Sequence, residues 1–159
     1  MERAITGFSR DKLADWFATL ECGHRQHVRH KPPFFNRLWV ESEEGRAALL
    51  GQPLNCVRCD RLELPDGFVV YKHTPEFSEQ TLPAGLRRDH AIKQGSWGLL
   101  HVLEGSLTLH IHGAEHQANA DETLAIPPVA LHYVRPTQTP LRCRIGFLRP
   151  AVGSGDALV

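Results

Sequence analysis

The chain has 159 residues, enough for one ordinary domain or two small ones. Its 18 Lys and Arg balance 18 Asp and Glu, and the pI is about 7.2, which excludes a global electrostatic attraction to nucleic acid or to an acidic membrane. No apolar run approaches the roughly 20 residues that span a bilayer, and the N-terminus does not fit a signal peptide. We therefore expect a cytoplasmic protein with no membrane partner.

The first block predicts a small β-hairpin followed by a short helix. Residues 16–20 and 26–30 are β-like runs, and residues 22–24 between them contain a glycine that permits a tight turn. Ser42 is a suitable N-cap for the helix, which ends at Gly51. We expect this block to be short of hydrophobic core.

A turn-rich seam at residues 62–67, containing Pro, Asp and Gly, separates the first block from the second. We place a zinc-binding module at residues 1–64 and a second domain at residues 67–150. The second block predicts strands throughout, at residues 68–71, 99–103, 107–111, 123–126, 131–134 and 141–147. Short strands with frequent turns are typical of a small sandwich or barrel. The expected fold class is therefore mostly β.

Four residues of the first block have the spacing of a zinc site. Cys22 and His24 flank a glycine, and Cys56 and Cys59 form a C-x-x-C pair. Three thiolates and one imidazole are a ligand set of closed structural zinc sites, which leave no position for water. The sequence therefore predicts one structural zinc ion that stabilises a block too small to be held by its core.

Two alternatives concern the identity and role of these ligands. His27 and His30 lie close by, and either can replace His24 as the imidazole ligand. A redox role for the C-x-x-C pair is disfavoured because the surrounding sequence lacks a βαβ pattern. The fourth cysteine, Cys143, lies on an alternating strand, where we expect a buried structural thiol.

The first block resembles the DUF3565 family of small bacterial domains. The residues that carry the resemblance are Gly7-Phe8, 20–30, Pro32-Pro33, Trp39-Val40, 44–46, 50–54, Cys56 and Cys59. The resemblance covers nearly the whole block and implies no activity. The C-x-H plus C-x-x-C pattern is also similar to the half of a RING-type finger in which four such ligands share one zinc ion.

A basic strip lies beside the predicted zinc site. It comprises Arg25, His27, Arg29, His30, Lys31 and Arg37. Small zinc modules use such strips to hold phosphates. We nevertheless do not expect a nucleic-acid partner, because the protein is neutral overall and we expect the strip to offer few exposed aromatic side chains for base stacking.

The second block carries motifs at residues 100–105 and 121–132 that resemble the two cupin motifs. A closer resemblance, to the N-terminal domain of the tellurite-resistance TehB proteins and to the YeaR-like proteins, is carried by residues 70–72, 82–85, 89–98, 102–105 and 132–134. It implies a compact cupin-like barrel, a double-stranded β-helix. Methyl transfer is not expected, since the sequence has no glycine-rich nucleotide loop.

His90 and His132 fall on matching positions of these motifs, and two imidazoles facing a barrel interior can hold Zn²⁺, Fe²⁺ or Mn²⁺. The position at which typical cupins place a glutamate ligand is Gly98, which cannot coordinate. The third ligand is therefore missing, and a second divalent metal in the barrel stays an open alternative. We take His90, Lys93, Trp97 and His132 as the candidate ligand-binding residues.

Three functions remain in competition. The favoured one is a metal-binding, cupin-like stress protein of the tellurite-resistance type that binds a small metabolite or anion in the barrel. The second is a metal-dependent cupin enzyme, an oxygenase or isomerase, so the sequence leaves open whether the protein is an enzyme. The third is an interaction module whose zinc block docks on nucleic acid or on a protein. Edge strands of the barrel make a homodimer the expected assembly.

Overall fold

The computed structural model describes residues 1–152, and the chain forms two compact units, Met1–Arg61 and a second that begins at Leu62. The elements of the first unit are β1 (Glu2–Arg10), β2 (Trp16–Leu20), β3 (Arg25–His27), a 3₁₀ turn (Leu38–Glu41), α1 (Glu43–Leu49), β4 (Pro53–Asn55) and α2 (Val57–Asp60). Those of the second are β5 (Phe68–His73), a 3₁₀ turn (Ala84–Arg87), β6 (Trp97–Ile111), β7 (Ala114–Asn119), β8 (Thr123–Ile126) and β9 (His132–Pro150).

The first unit is built on an antiparallel sheet with the strand order β3-β2-β1-β4. The expected hairpin is present as β2 and β3, and its turn is closed by backbone bonds from Leu20 to His24 (2.9 Å) and from Gly23 to Leu20 (2.8 Å). Gly23 has φ of +91°, a conformation that favours glycine. Strands β1 and β4 were not predicted.

The predicted helix is present as α1, and its N-cap is confirmed. The hydroxyl oxygen of Ser42 accepts a hydrogen bond from the backbone N–H of Gly45 at 3.0 Å. Gly51, with φ of +79°, follows the helix as expected. The guanidinium of Arg46 lies 3.9 Å from the ring centroid of Trp16, which joins α1 to β2.

The second unit is an antiparallel sheet with the order β5-β9-β6-β7, and β8 pairs with β6 outside that path. Strands are the dominant secondary structure of the described residues, which confirms the mostly β fold class. The pairs of strands predicted at 99–103 and 107–111, and at 131–134 and 141–147, are in fact the single long strands β6 and β9.

Gly105 lies between the two strands predicted at 99–103 and 107–111, and it allows them to form the single strand β6. Its φ is +74°, and a Cβ atom there would lie 2.4 Å from the carbonyl oxygen of Pro140 and 2.5 Å from that of Gln138. A glycine is therefore required where β9 passes closest to β6.

The core of the second unit follows the alternation of β6. Leu100, Val102, Leu107 and Leu109 are buried, as is Cys143 on β9, which agrees with the expected structural thiol. Burial raises the pKa of the Cys143 thiol to about 11. Among the residues that the structure describes, no helix is long and apolar enough to span a bilayer.

Candidate metal centre and ligand cavity

The structure brings the four predicted zinc ligands together inside the first unit. Cys22 and His24 lie in the turn between β2 and β3, Cys56 is the N-cap of α2, and Cys59 lies within α2. All four side chains are buried, with no more than 1% of their surface exposed. Their sulfur and nitrogen atoms all lie within 4.8 Å of one another, so the cluster can hold a metal ion.

The distances within the cluster fit a tetrahedral zinc ion. Zinc–sulfur bonds of about 2.3 Å and zinc–nitrogen bonds of about 2.0 to 2.1 Å, at tetrahedral angles, separate two sulfurs by about 3.8 Å and a sulfur from a nitrogen by about 3.5 Å. Nδ1 of His24 lies 3.3 to 3.6 Å from the three sulfurs. The sulfurs of Cys22 and Cys56 lie 3.9 Å apart, too far for a disulfide.

The electrostatics of the cluster are compatible with a bound cation. The neighbouring thiols of Cys22 and Cys59 lower the pKa of Cys56, whereas Cys22 and Cys56 together with burial raise the pKa of Cys59. Successive thiolates therefore become harder to form as negative charge accumulates in a buried space. A divalent cation held by these side chains would supply compensating positive charge.

The two alternative histidines lie elsewhere. Nε2 of His27 is 2.9 Å from a carboxylate oxygen of Asp11, and Nδ1 of His30 accepts a hydrogen bond from the backbone N–H of Arg37 at 3.0 Å. His27 also lies with Asp11 and Asp15 in a partly exposed surface cluster whose members pair internally, and Asp15 holds Arg29 at 2.8 Å. Among the three histidines, only His24 is close to the sulfurs.

The basic strip differs from expectation in its aromatic content. The prediction of few exposed aromatic side chains is wrong, because Phe34 is 82% exposed and Phe35 is 52% exposed. Both lie on a tight turn that is closed by backbone bonds between Lys31 and Phe35. Sequence reasoning missed them because large apolar residues are usually buried.

The second unit contains a cavity of about 330 Å³. Its lining comprises Tyr71, Lys72, Leu86, His90, Ala91, Ile92, Lys93, Ser96, Ile126, His132, Ile145 and Phe147. Three of the four candidate ligand-binding residues from the sequence, His90, Lys93 and His132, therefore line the same cavity. Trp97 is not: it is fully buried and does not line the cavity.

A short antiparallel bridge positions the two cavity histidines. The backbone N–H of His90 donates to the carbonyl of His132 at 3.1 Å, and the reverse bond measures 2.9 Å. The two imidazole rings consequently face each other with centroids 4.1 Å apart. Sequence reasoning identified both residues but not this bridge, which depends on contact between segments 42 residues apart in the chain.

Hydrogen bonds to the backbone fix the tautomer of both imidazoles. Nδ1 of His90 lies 3.0 Å from the carbonyl oxygen of Arg88, and Nδ1 of His132 lies 2.8 Å from that of Ala130. A carbonyl oxygen only accepts, so each Nδ1 carries the hydrogen and Nε2 is the ring nitrogen left for a ligand. Burial, helped by repulsion from His90, lowers the pKa of His132.

Gly98 does not line the cavity, and isoleucine side chains lie close to its Cα. A Cβ atom at this position would lie 2.5 Å from Cδ1 of Ile92 and 3.3 Å from Cβ of Ile126. The space for a longer side chain is therefore filled by isoleucines. Among the described residues, the groups of three or more metal-ligating side chains do not include His90 or His132.

Nine further lining residues were not assigned a binding role from the sequence, among them Tyr71, Lys72, Ser96 and Phe147. Lys72 and Tyr71 come from β5, and the hydroxyl of Tyr71 lies 3.4 Å from that of Ser96. The guanidinium of Arg149 lies 5.0 Å from the Tyr71 ring centroid, and Phe147 belongs to the cavity wall. Residues 70–72 are among those that carry the resemblance to the TehB N-terminal domain, and this was the available sequence signal for Tyr71 and Lys72.

Comparison with known proteins divides the chain in two. Residues 6–63 match the family described as a protein of unknown function, DUF3565, and residues 72–145 match the family described as TehB-like domain. The chain is 31% identical over 86 residues to the probable S-adenosyl-L-methionine-dependent methyltransferase TehB of Haemophilus influenzae. This match covers 50% of the chain but only 30% of that protein's length.

Solved structures match about half of the chain. The crystal structure of Haemophilus influenzae TehB is 29% identical with a TM-score of 0.50, over 54% of this chain and 32% of that one. A protein from Escherichia coli K12 is similar in fold, with 21% identity and a TM-score of 0.53, over 57% of this chain and 98% of that one. A cupin protein from Bacteroides fragilis is 21% identical with a TM-score of 0.37, over 49% and 66% of the two chains.

Proposed function

We propose that this chain, which joins a DUF3565 segment to a TehB-like domain, binds a small organic anion in the cavity of its second unit. The observation that supports this function is the composition of the cavity wall. Lys72 and Lys93 supply positive charge, His90 and His132 supply two oriented imidazoles, and none of the lining residues within the described part of the chain is acidic. Such a site favours negative charge.

The rest of the cavity wall suits a ligand with a hydrocarbon part. Ile126, Ile145 and Phe147 provide apolar surface beside the polar groups. A few polar groups on an otherwise apolar wall are typical of sites for small organic molecules. A carboxylate joined to a short carbon chain therefore fits better than a bare inorganic ion.

We propose that the metal of the first unit is zinc and that its role is structural. Cys22, His24, Cys56 and Cys59 together fill a tetrahedron, so a bound zinc ion crosslinks the β2–β3 turn to α2 and has no position for a substrate. Three reduced cysteines suit a reducing compartment, and we place the protein in the cytoplasm. We therefore assign binding of the small ligand to the second unit.

Ligand binding is preferred over metal-dependent catalysis because the cavity has an incomplete donor set. A second divalent metal would be held by Nε2 of His90 and of His132, but the position of the expected carboxylate ligand is Gly98, against which Ile92 is packed. A metal-dependent oxygenase or isomerase needs a more complete site than two imidazoles. Metal analysis that finds a second ion, lost on His132→Ala, would favour the enzyme.

A titration of the zinc-loaded full chain tests the proposed function. Propionate, phosphate and tellurite are added separately while backbone amide resonances are recorded; tellurite tests the stress role that the resemblance implies. Propionate is expected to shift resonances of the cavity residues, and Lys72→Gln with Lys93→Gln is expected to weaken its binding about fivefold. The matched control is Lys12→Gln in the first unit. Shifts absent from the cavity, or binding indifferent to the two lysines, would reject the proposal.

We propose a homodimer that pairs through β5. This strand lies at one edge of the sheet, and Val69 and Val70 on it are both exposed. An edge strand with exposed apolar side chains pairs readily with a second copy. Light scattering is expected to give a dimer for the native chain and a monomer after Val70→Lys, whereas a native monomer would refute this assembly.

A second candidate function is the binding of single-stranded nucleic acid by the first unit. The exposed Phe34 and Phe35 lie beside Lys31 and Arg37, and aromatic rings with adjacent cations bind bases and phosphates. Retention on an oligothymidine column that falls with salt and is lost on Phe34→Ser with Phe35→Ser would support it. Passage of the native chain at low salt would exclude it.

A further inference from the structure

Resting on the proposed function, we infer that the anion bound in the cavity also carries a hydroxyl group, so that the ligand belongs to the class of small hydroxycarboxylic acids. The hydroxyl would donate its hydrogen to Nε2 of the cavity histidines. The carboxylate would lie toward Lys72 and Lys93, and the carbon chain against the isoleucines of the wall.

This assignment is based on which ring nitrogen of each imidazole donates a hydrogen bond and which accepts one. Each Nδ1 donates to a carbonyl two residues earlier in the chain, His90 to Arg88 and His132 to Ala130. The backbone bridge between the two histidines holds these rings in place, so neither imidazole can turn Nδ1 toward the ligand without losing its own bond. In the neutral state, each ring therefore offers the cavity only a lone pair.

The surroundings of His132 favour its neutral state. Burial and the positive charge of a protonated His90 lower its pKa, while its bond to Ala130 and the negative charge of Asp89 act in the opposite direction and do not offset them. Lys72 from β5 and Lys93 from the loop before β6 are the other charged side chains that line the cavity. At neutral pH the cavity thus contains at least one fixed acceptor.

A fixed acceptor selects among anions. A carboxylate or a fully deprotonated oxyanion presents only lone pairs, which Nε2 repels. A hydroxyl on the same ligand donates to Nε2 and satisfies a polar atom that would otherwise lose its water on ligand binding. The cavity therefore discriminates by the presence of a donor and not by charge alone.

The test compares ligands that differ by one hydroxyl group. Propionate, lactate and 3-hydroxypropionate have the same carbon count and carboxylate, and their dissociation constants are measured at pH 7.5 by resonance titration of the zinc-loaded full chain. At least one of the two hydroxy acids is expected to bind about tenfold more tightly than propionate. Equal affinity for all three overturns the inference and leaves the proposed function intact. Failure of all three to reach the cavity overturns both.

A substitution distinguishes the role of Nε2 as an acceptor from a structural role of the histidine. His132→Asn keeps an N–H that can donate to the carbonyl of Ala130 but removes Nε2, so the ratio of hydroxy-acid affinity to propionate affinity is expected to fall toward one. His90→Asn provides the same test if the first variant does not fold. His101→Asn, on β6 and outside the cavity lining, is the matched control and keeps the preference. A preference that survives both cavity variants would refute the assignment.

Discussion

The sulfur of Cys56 lies 3.3 Å from Nδ1 of His24, although 32 residues separate them in the chain. A metal ion that binds both closes this long loop and joins the β2–β3 turn to α2. Metal binding offsets the entropic cost of closing this loop, because metal binding and folding are coupled in small domains. The first unit, whose helix α1 has no buried residues, is therefore expected to depend on its metal.

Replacement of a zinc-ligating cysteine is expected to unfold the first unit. Cys56→Ser removes one of three sulfurs, and structural zinc ions contribute on the order of 10 kcal/mol to such units. We expect the zinc content to fall from one ion per chain to near zero, with loss of dispersed amide resonances for residues 1–61. Cys143→Ala, a buried cysteine outside the cluster, is the control and retains its zinc. Full zinc content in Cys56→Ser would contradict the ligand assignment.

The imidazole ligand is expected to be His24. His24→Ala leaves three sulfurs and should weaken zinc binding at least about tenfold, as measured by competition with a chromophoric chelator. His27→Ala should leave the affinity unchanged, since this side chain is 51% exposed and pairs with Asp11. If His27→Ala weakened binding and His24→Ala did not, the ligand would have been assigned to the wrong histidine.

Stability of the second unit is expected to fall below pH 6.5. Burial lowers the pKa of His132 beneath its ordinary value of 6.5, so the unfolded chain takes up a proton at a pH where the folded chain does not. The stability is complete above pH 6.5 and is lost as the pH falls, by up to about 1.4 kcal/mol per pH unit.

Urea unfolding of β6 and β9, followed by their resonances between pH 7.5 and 5.5, measures this loss. His132→Asn cannot take up the proton and should flatten that part of the pH dependence. An identical pH profile in the variant would show that another group is responsible.

Two glycines with similar backbone angles are expected to differ in their tolerance of alanine. Gly105 and Gly113 have φ of +74° and +76°, so alanine costs about 1 kcal/mol at each from the backbone alone. At Gly105 the added Cβ also meets the carbonyl oxygens of Pro140 and Gln138, whereas at Gly113 it meets nothing within 4 Å. Denaturation should show a loss of more than about 2 kcal/mol for Gly105→Ala and about half of that or less for Gly113→Ala. Equal losses would mean that β6 and β9 move apart at Gly105 without lowering the free energy of unfolding.

The cluster of Cys22, His24, Cys56 and Cys59 was predictable because these residues come as two local pairs with spacings that metal geometry demands. The helix α1 was predictable for a similar reason, since Ser42 and Gly51 act on their immediate neighbours. The strand β7 was not, because residues 114–119 are mostly polar and lack β-branched side chains.

The cavity was predictable only in part, because it depends on contacts between distant segments. His90 and His132 were chosen from motifs, yet their facing rings result from a bridge that local patterns do not encode. Trp97 was selected as a ligand-binding residue because of its neighbours in sequence, whereas its side chain is fully buried outside the cavity lining. Lys72 was overlooked, and it reaches the cavity through the pairing of β5 with β9.

X-ray absorption at the zinc edge, recorded on full-length protein purified without added metal, tests the central claim most directly. A closed structural site predicts one zinc ion per chain with three sulfurs at about 2.3 Å and one nitrogen at about 2.0 to 2.1 Å. A protein without zinc, or a zinc ion with fewer than three sulfurs and an oxygen in its first coordination sphere, would contradict a closed structural role for the cluster.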